Sequence, residues 1–130
     1  AEKIYRELVA KSADNPILLN NLAWVAGQLK HSDALELAQR AAQLAPENPA
    51  VLDTLGMLLV EQGMGAQGIE HLKKAVKLAP REVGLRINLA RAHIALSQPQ
   101  DARKELEAAL QLAPEGSRVR DEIEKLQASL

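Results

Sequence analysis

The chain has 130 residues, 47% of them hydrophobic, and a formal net charge of -1. It is long enough for one packed domain and carries no basic field to attract nucleic acid or an anionic membrane. The absence of cysteine excludes disulfides and thiolate metal sites, and with no Phe, one Trp and one Tyr the core must be built from Leu, Ala, Val and Ile.

The apolar periodicity predicts eight helices, over residues 1–11, 16–29, 33–45, 50–62, 66–78, 84–96, 100–112 and 117–129. The first begins at Ala1, without Met, inside a helical pattern, so the chain reads as a fragment of a longer protein with targeting and anchoring signals upstream. Its Ile4, Tyr5, Leu8 and Val9 form a face that wants a partner, which points to a homodimer through this helix. Asn15-Pro16 and Asn48-Pro49 supply an N-cap and a proline at the first helical position. Gly63 and Gly65 mark a turn between two helices. The last helix carries Val119, Ile123, Leu126 and Leu130 on one face and charges elsewhere, as suits a terminal cap. No apolar run approaches the roughly 20 residues that span a bilayer, so no direct membrane insertion is expected.

Leu-Ala-Pro occurs three times, with Pro46, Pro80 and Pro114 spaced by 34 residues. A fixed period of this length means that one small unit is copied along the chain. Each proline lacks the amide hydrogen that would continue the preceding helix, so the unit is a helical hairpin. Small residues recur at two matched places, Ala23, Gly56 and Ala90 in the first helices and Ala34, Gly68 and Ala102 in the second. Glycine inside a helix costs about 1 kcal/mol against alanine, so Gly56 and Gly68 predict close approach of the two helices. Leu22, Leu55 and Leu89 then fill each hairpin, met by Leu72 and Leu106, while Leu44, Leu78 and Leu112 are expected to pack at the ends toward the next unit.

This pattern resembles the tetratricopeptide repeat (TPR) family. Unit two carries the family motif through Leu52, Leu55, Gly56, Leu59, Gly68, Leu72, Ala75 and Pro80. Unit three carries it through Leu89, Ala90, Ala102, Leu106, Ala109 and Pro114, with Arg86 and His93 in place of large apolar residues. Unit one carries it through Leu19, Leu22, Ala23, Ala34, Ala41 and Pro46, with Ala26 and Ala38 small for their places. The resemblance implies an all-α fold, a right-handed α-α superhelix of about three repeats plus a leading half-repeat and a C-terminal capping helix. The single TPR domain over 1–130 then divides into the second helix of a truncated repeat (1–14), three repeats (15–48, 49–82, 83–116) and the cap (117–130). The stretches at 19–24, 48–56, 59–63 and 71–80 are similar to the C-terminal repeats of the bacterial PEP-CTERM (exosortase) system TPR lipoprotein family. That similarity implies a link to exopolysaccharide and protein-sorting machinery. It also implies a periplasmic location, lipid-anchored through an upstream segment, with a cytoplasmic location as the alternative.

In such a superhelix the first helices line the concave side, and in the TPR family ligands contact their outward positions. Here the stripe runs through Asn20, Trp24 and Gln28, then Asp53, Met57 and Glu61, then Ile87, Arg91 and Ala95, with Val60 and Ile94 beside it. Trp24 is two residues from Leu22, about 200° round a helix, so it cannot share the core face. The same holds for Met57 against Leu55 and Ile87 against Leu89. Asn20 and Asn88 are placed to hydrogen-bond a bound backbone. The predicted function is a non-catalytic scaffold that binds a peptide or partner protein in this groove, without a cofactor. The alternative is a structural segment of a longer superhelix, or a self-association module, in which these residues pack on neighbouring helices. Family members that hold the C-terminal tails of cytosolic chaperones use a clamp of Lys, Asn and Arg. Those places carry Asn20, Trp24, Thr54, Gly84 and Asn88, which argues against chaperone-tail binding.

No catalytic or metal motif competes with this reading. His31, His71 and His93 fall in a loop, on an outer face and at a core-type position, with no i, i+4 pair. Gly63, Gly65 and Gly68 follow no strand and precede no Lys-Ser/Thr pair, and the serines sit near helix ends, where capping is their ordinary role. Stacking aromatics for nucleic acid are missing. Glu36 with Arg40, Glu70 with Lys74 and Lys104 with Glu107 are expected as surface pairs worth about 0.3–0.5 kcal/mol each.

Overall fold

The computed structural model describes residues 1–130 and contains eight helices: α1 (Glu2–Lys11), α2 (Pro16–Gln28), α3 (Ala34–Leu44), α4 (Pro49–Glu61), α5 (Gly65–Leu78), α6 (Val83–Ala95), α7 (Pro99–Leu112) and α8 (Arg118–Ala128). Every end lies within one residue of its predicted place, because the sequence punctuates these helices strongly. The Asn15 Oδ1 accepts from the amides of Ile17 and Leu18 at 3.0 and 3.2 Å. Asn48 does the same for Ala50 and Val51 at 2.9 and 3.3 Å. The Arg120 amide donates to Ser117 Oγ at 3.1 Å to start α8.

The helices pair as hairpins, α2 with α3, α4 with α5 and α6 with α7, and the hairpins stack so that α2, α4 and α6 lie side by side. α1 packs on α2, and α8 on α7. No helix is long and apolar enough to cross a membrane. Small residues set the distance within each hairpin. A Cβ on Gly68 would lie 2.5 Å from the Gly56 carbonyl oxygen, and one on Gly56 would lie 2.9 Å from the Gly68 oxygen. Ala23, Ala34, Ala90 and Ala102 hold the matching places in the other hairpins and are fully buried.

The core crosses the boundaries between units. Leu19, Leu22, Ala26 and Leu37 of the first hairpin cluster with Val51, Leu55 and Leu58 of α4. Ile69, Leu72 and Val76 of α5 cluster with Leu89 and Ala92 of α6. Ile87, Ala90, Leu106 and Ala109 of the third hairpin cluster with Ile123 of α8. Each hairpin therefore buries apolar surface against the next, as a repeat array requires.

Three expectations are corrected. Leu44 and Leu78 are 46% and 41% exposed. In the first and third units the following alanine turns inward: Ala45 packs on the first cluster and Ala113 is buried in the last. On α1, Tyr5 and Val9 pack against the first cluster, which leaves Ile4 and Leu8 as its outward apolar residues. None of the three expected pairs within single helices forms. Arg40 Nη2 donates to the Ala13 carbonyl at 3.0 Å, and Lys74 reaches Glu47 at 3.4 Å. These long cations tie one unit to another rather than one turn of a helix to the next.

Polar ties also dock α1. The Arg6 guanidinium holds both Asp33 carboxylate oxygens at 2.9 and 3.2 Å and Glu2 at 3.1 Å. Its hydrogen bond holds the Asp33 carboxyl below the usual carboxylate range. His31 Nδ1 lies 2.6 Å from the same Glu2.

The tightest contact in the fold gives a direct test. Gly68→Ala places a methyl against backbone that cannot rotate away, so it should destabilise the chain by about 2–3 kcal/mol in urea denaturation despite alanine's better helix propensity. An unchanged midpoint would mean that the two helices are not held this close.

Candidate functional site

Stacking of α2, α4 and α6 leaves a cleft of about 340 Å³ on their common face. Trp24, Gly27 and Gln28 of α2 form one wall. Asp53, Thr54, Met57, Leu58 and Glu61 of α4 form the floor, and Asn88 and Arg91 of α6 the far wall. Asp53, Met57 and Glu61 are four residues apart in succession, so one face of α4 presents all three.

Trp24 is 56% exposed, although a ring of its size normally buries most of its surface. Met57 is half-buried beside it. The Asn88 Nδ2 donates to both carboxylate oxygens of Asp53, at 3.1 and 3.0 Å. Burial pushes the Asp53 carboxyl up to about 6, and the Asn88 hydrogen bond works against that rise without cancelling it. Arg91 is paired through Nη2 with Glu122 of α8. Thr54 carries the one hydroxyl lining the cleft, and it donates to the Ala50 carbonyl at 3.2 Å. The cleft lining offers an aromatic ring, a thioether, a hydroxyl, two carboxylates, two side-chain amides and a guanidinium.

Of the residues predicted for the groove, Trp24, Gln28, Asp53, Met57, Glu61, Asn88 and Arg91 come together here. Four do not. Asn20 is 9% exposed, with an Oδ1 that has no hydrogen-bond partner. Ile87 is 5% exposed, in the cluster of Leu106 and Ile123. Asn20, Asp53 and Ile87 occupy one repeat position, at the seam between neighbouring first helices, and are buried or half-buried there. Val60 is half-buried beneath Gly68, and Ile94 lines a separate cavity with Ser97, Gln98 and Arg103. Asn88 also binds Asp53 rather than standing ready for a ligand backbone.

Gly27 and Leu58 were not expected in the lining, whereas Thr54 holds one of the clamp places named from the family resemblance. Gly27 stands where the other units carry Val60 and Ile94, and a Cβ there would meet Leu58 Cδ2 at 2.6 Å. Its missing side chain leaves room for Leu58 in the cleft floor, and the repeat alignment held that signal. The histidines lie elsewhere: His93 is buried, with Nδ1 2.7 Å from Gln98 Oε1. No group of three or more His, Cys, Asp or Glu side chains is placed to hold a metal.

The half-buried Asp53 links stability to pH. Its folded carboxyl titrates at about 6 and an unfolded one ordinarily near 4, so the folded chain binds the extra proton between those values. Stability therefore falls as pH rises from about 4 to about 6, and this contribution is flat above. Asp53→Asn keeps an oxygen for Asn88 without a charge to desolvate. It should be more stable than the parent at pH 7 by about 1–2 kcal/mol, with the gap closing toward pH 4 in thermal melts. A gap independent of pH would contradict the placement of Asp53.

Comparison with known proteins agrees with this architecture. A tetratricopeptide repeat family profile matches residues 59–130. The TPR repeat-containing protein PA4667 of Pseudomonas aeruginosa is 32% identical over 81 residues, covering 61% of this chain but 14% of that much longer protein. The crystal structure of TTC0263, a thermophilic TPR protein in Thermus thermophilus, superposes with a TM-score of 0.84 at 19% identity, covering 98% of this chain and 72% of that one. That of YrrB, a TPR protein with an unusual peptide-binding site, superposes at 0.78 with 18% identity, covering 95% and 64%. At these identities the solved structures share the fold. With eight helices stacked as hairpins and the family profile over its second half, the chain belongs to the tetratricopeptide repeat family.

Proposed function

We propose that this chain is a non-catalytic interaction scaffold that holds a segment of a peptide or partner protein in the cleft of α2, α4 and α6. The observation that carries the reading is Trp24: the only tryptophan stands in the cleft wall, 56% exposed, beside a thioether and charged groups. Exposed aromatic side chains with polar neighbours are the usual anchors of interfaces. The fold shared with YrrB, whose crystal structure is described as having a peptide-binding site, supports the choice of a peptide. The similarity of residues 19–24, 48–56, 59–63 and 71–80 to the PEP-CTERM lipoprotein repeats supports a finer reading. In it the parent protein serves exopolysaccharide or protein-sorting machinery in the periplasm, held to a membrane by a lipid anchor outside these residues. Trp24→Ala should weaken peptides selected for binding to the intact chain by about 2 kcal/mol or more in calorimetry, with helicity unchanged by circular dichroism. Equal affinity for both forms would remove the cleft as the site.

A second reading rests on α1. Ile4 and Leu8 are 62% and 39% exposed on its outer face, which suits continuation of the superhelix or self-association. For self-association, sedimentation would show a mass that rises with concentration in the parent chain and stays monomeric in Leu8→Glu; a monomer at every concentration would discard self-association.

A further inference from the structure

Building on the cleft as a peptide site, we propose that its occupant carries a Lys or Arg side chain, whose cationic head lies on the Trp24 indole and between the Asp53 and Glu61 carboxylates. The charge balance of the cleft leads to this. Asp53 and Glu61 sit two turns apart on one face of α4, and neither takes part in any ion pair of the chain. The one cation in the lining, Arg91, is committed to Glu122 outside the cleft. The cleft lining therefore presents two carboxylates without an ion-pair partner; Lys30 and His31 border Glu61 from an adjoining cavity, whereas Asp53 has no cation near it in the lining.

Asp53 makes the point most sharply. It is half-buried, and the hydrogen-bond partner its side chain has is the neutral Asn88 amide. A carboxylate partly withdrawn from water without a cation is costly to the fold. Although burial pushes its carboxyl up to about 6, it is ionised at neutral pH, so a cation arriving from outside recovers what folding lost.

The neutral surfaces fit the same guest. An ammonium or guanidinium over an indole is drawn to the ring's negative face. The aliphatic stem of Lys or Arg lies well on apolar surface, which Met57 and Leu58 provide. An acidic segment would meet two carboxylates, with Arg91, the one cation of the lining, already paired. A purely apolar segment would desolvate Asp53 further and return nothing.

Random-peptide display against the intact chain tests this, followed by calorimetry of the recovered peptides with the parent, Glu61→Gln, Asp53→Asn and Trp24→Ala. Glu61 is exposed and unpaired, so its variant folds whatever happens at Asp53. The expected peptides share a Lys or Arg, lose roughly tenfold in affinity when it becomes Gln, and weaken with salt. Each carboxylate variant should weaken them by roughly three- to tenfold. Recovered peptides that are acidic or purely apolar, bound equally by Glu61→Gln and Asp53→Asn but weakened by Trp24→Ala, would overturn the cationic assignment and leave the peptide cleft standing. If no peptide binds the parent more tightly than Trp24→Ala, the cleft reading itself fails, and this proposal with it.

Discussion

The spacing between the two helices of each hairpin governs the rest of the molecule. At Gly56 and Gly68 the backbones come so near that neither position has room for a Cβ, and Ala23, Ala34, Ala90 and Ala102 allow a similar approach in the outer hairpins. Close backbones leave little volume between paired helices. The larger side chains, Leu55, Leu58, Leu72 and Val76, then find neighbours in the next unit as well as in their own. The core is a chain of clusters, each bridging two units, and no hairpin buries its apolar face alone. From the same geometry follows the open face: once second helices fill the convex side, α2, α4 and α6 stand side by side with only their own side chains between them.

The helix ends were legible because caps and prolines announce them. The hairpin turns were legible only in the middle unit. There Gly63 adopts φ +80°, and the Met64 amide donates to the Leu59 carbonyl at 2.9 Å, which closes α4 with a left-handed residue. Lys30 and Ser97 adopt the same conformation, with φ 59° and 58°, and His31 and Gln98 make the equivalent bonds to Ala26 and His93 at 2.8 Å. Neither residue type signals a left-handed backbone. An L side chain there costs roughly 1–2 kcal/mol, which the packing of the hairpin enforces.

The cleft was legible in part, for a reason of dimension. A period of 3.6 tells which residues face away from Leu22 and Leu55; of these Trp24 is exposed in the cleft wall, whereas Met57 borders the cleft and also packs on the cluster of Ile69 and Leu72. The period does not tell which of those a neighbouring hairpin covers. Asn20 and Ile87 point away from Leu22 and Leu89 and are nonetheless buried, because their position is the seam between adjacent first helices. Asp53 sits at that same position and is the acidic member of the set, so its altered titration is a property of the stack rather than of α4. The ion pairs escaped the sequence for the same reason: Lys74–Glu47, Arg6–Asp33 and Arg91–Glu122 join different units, at separations that no rule within one helix anticipates.

Those ties connect the architecture to the chemistry of the cleft. Exposed ion pairs contribute little to stability, about 0–1 kcal/mol each, so their larger consequence is where they leave charge. Arg91 alone among the cations borders the cleft, and Glu122 of α8 draws its head toward the C-terminal end of the stack. With that cation engaged, the carboxylates of α4 dominate the field around Trp24. Were α8 displaced, Arg91 would be freed and the balance of the cleft would move toward neutrality. The capping helix therefore makes two contacts: Ile123 covers the last apolar cluster, and Glu122 holds the one cation that borders the cleft.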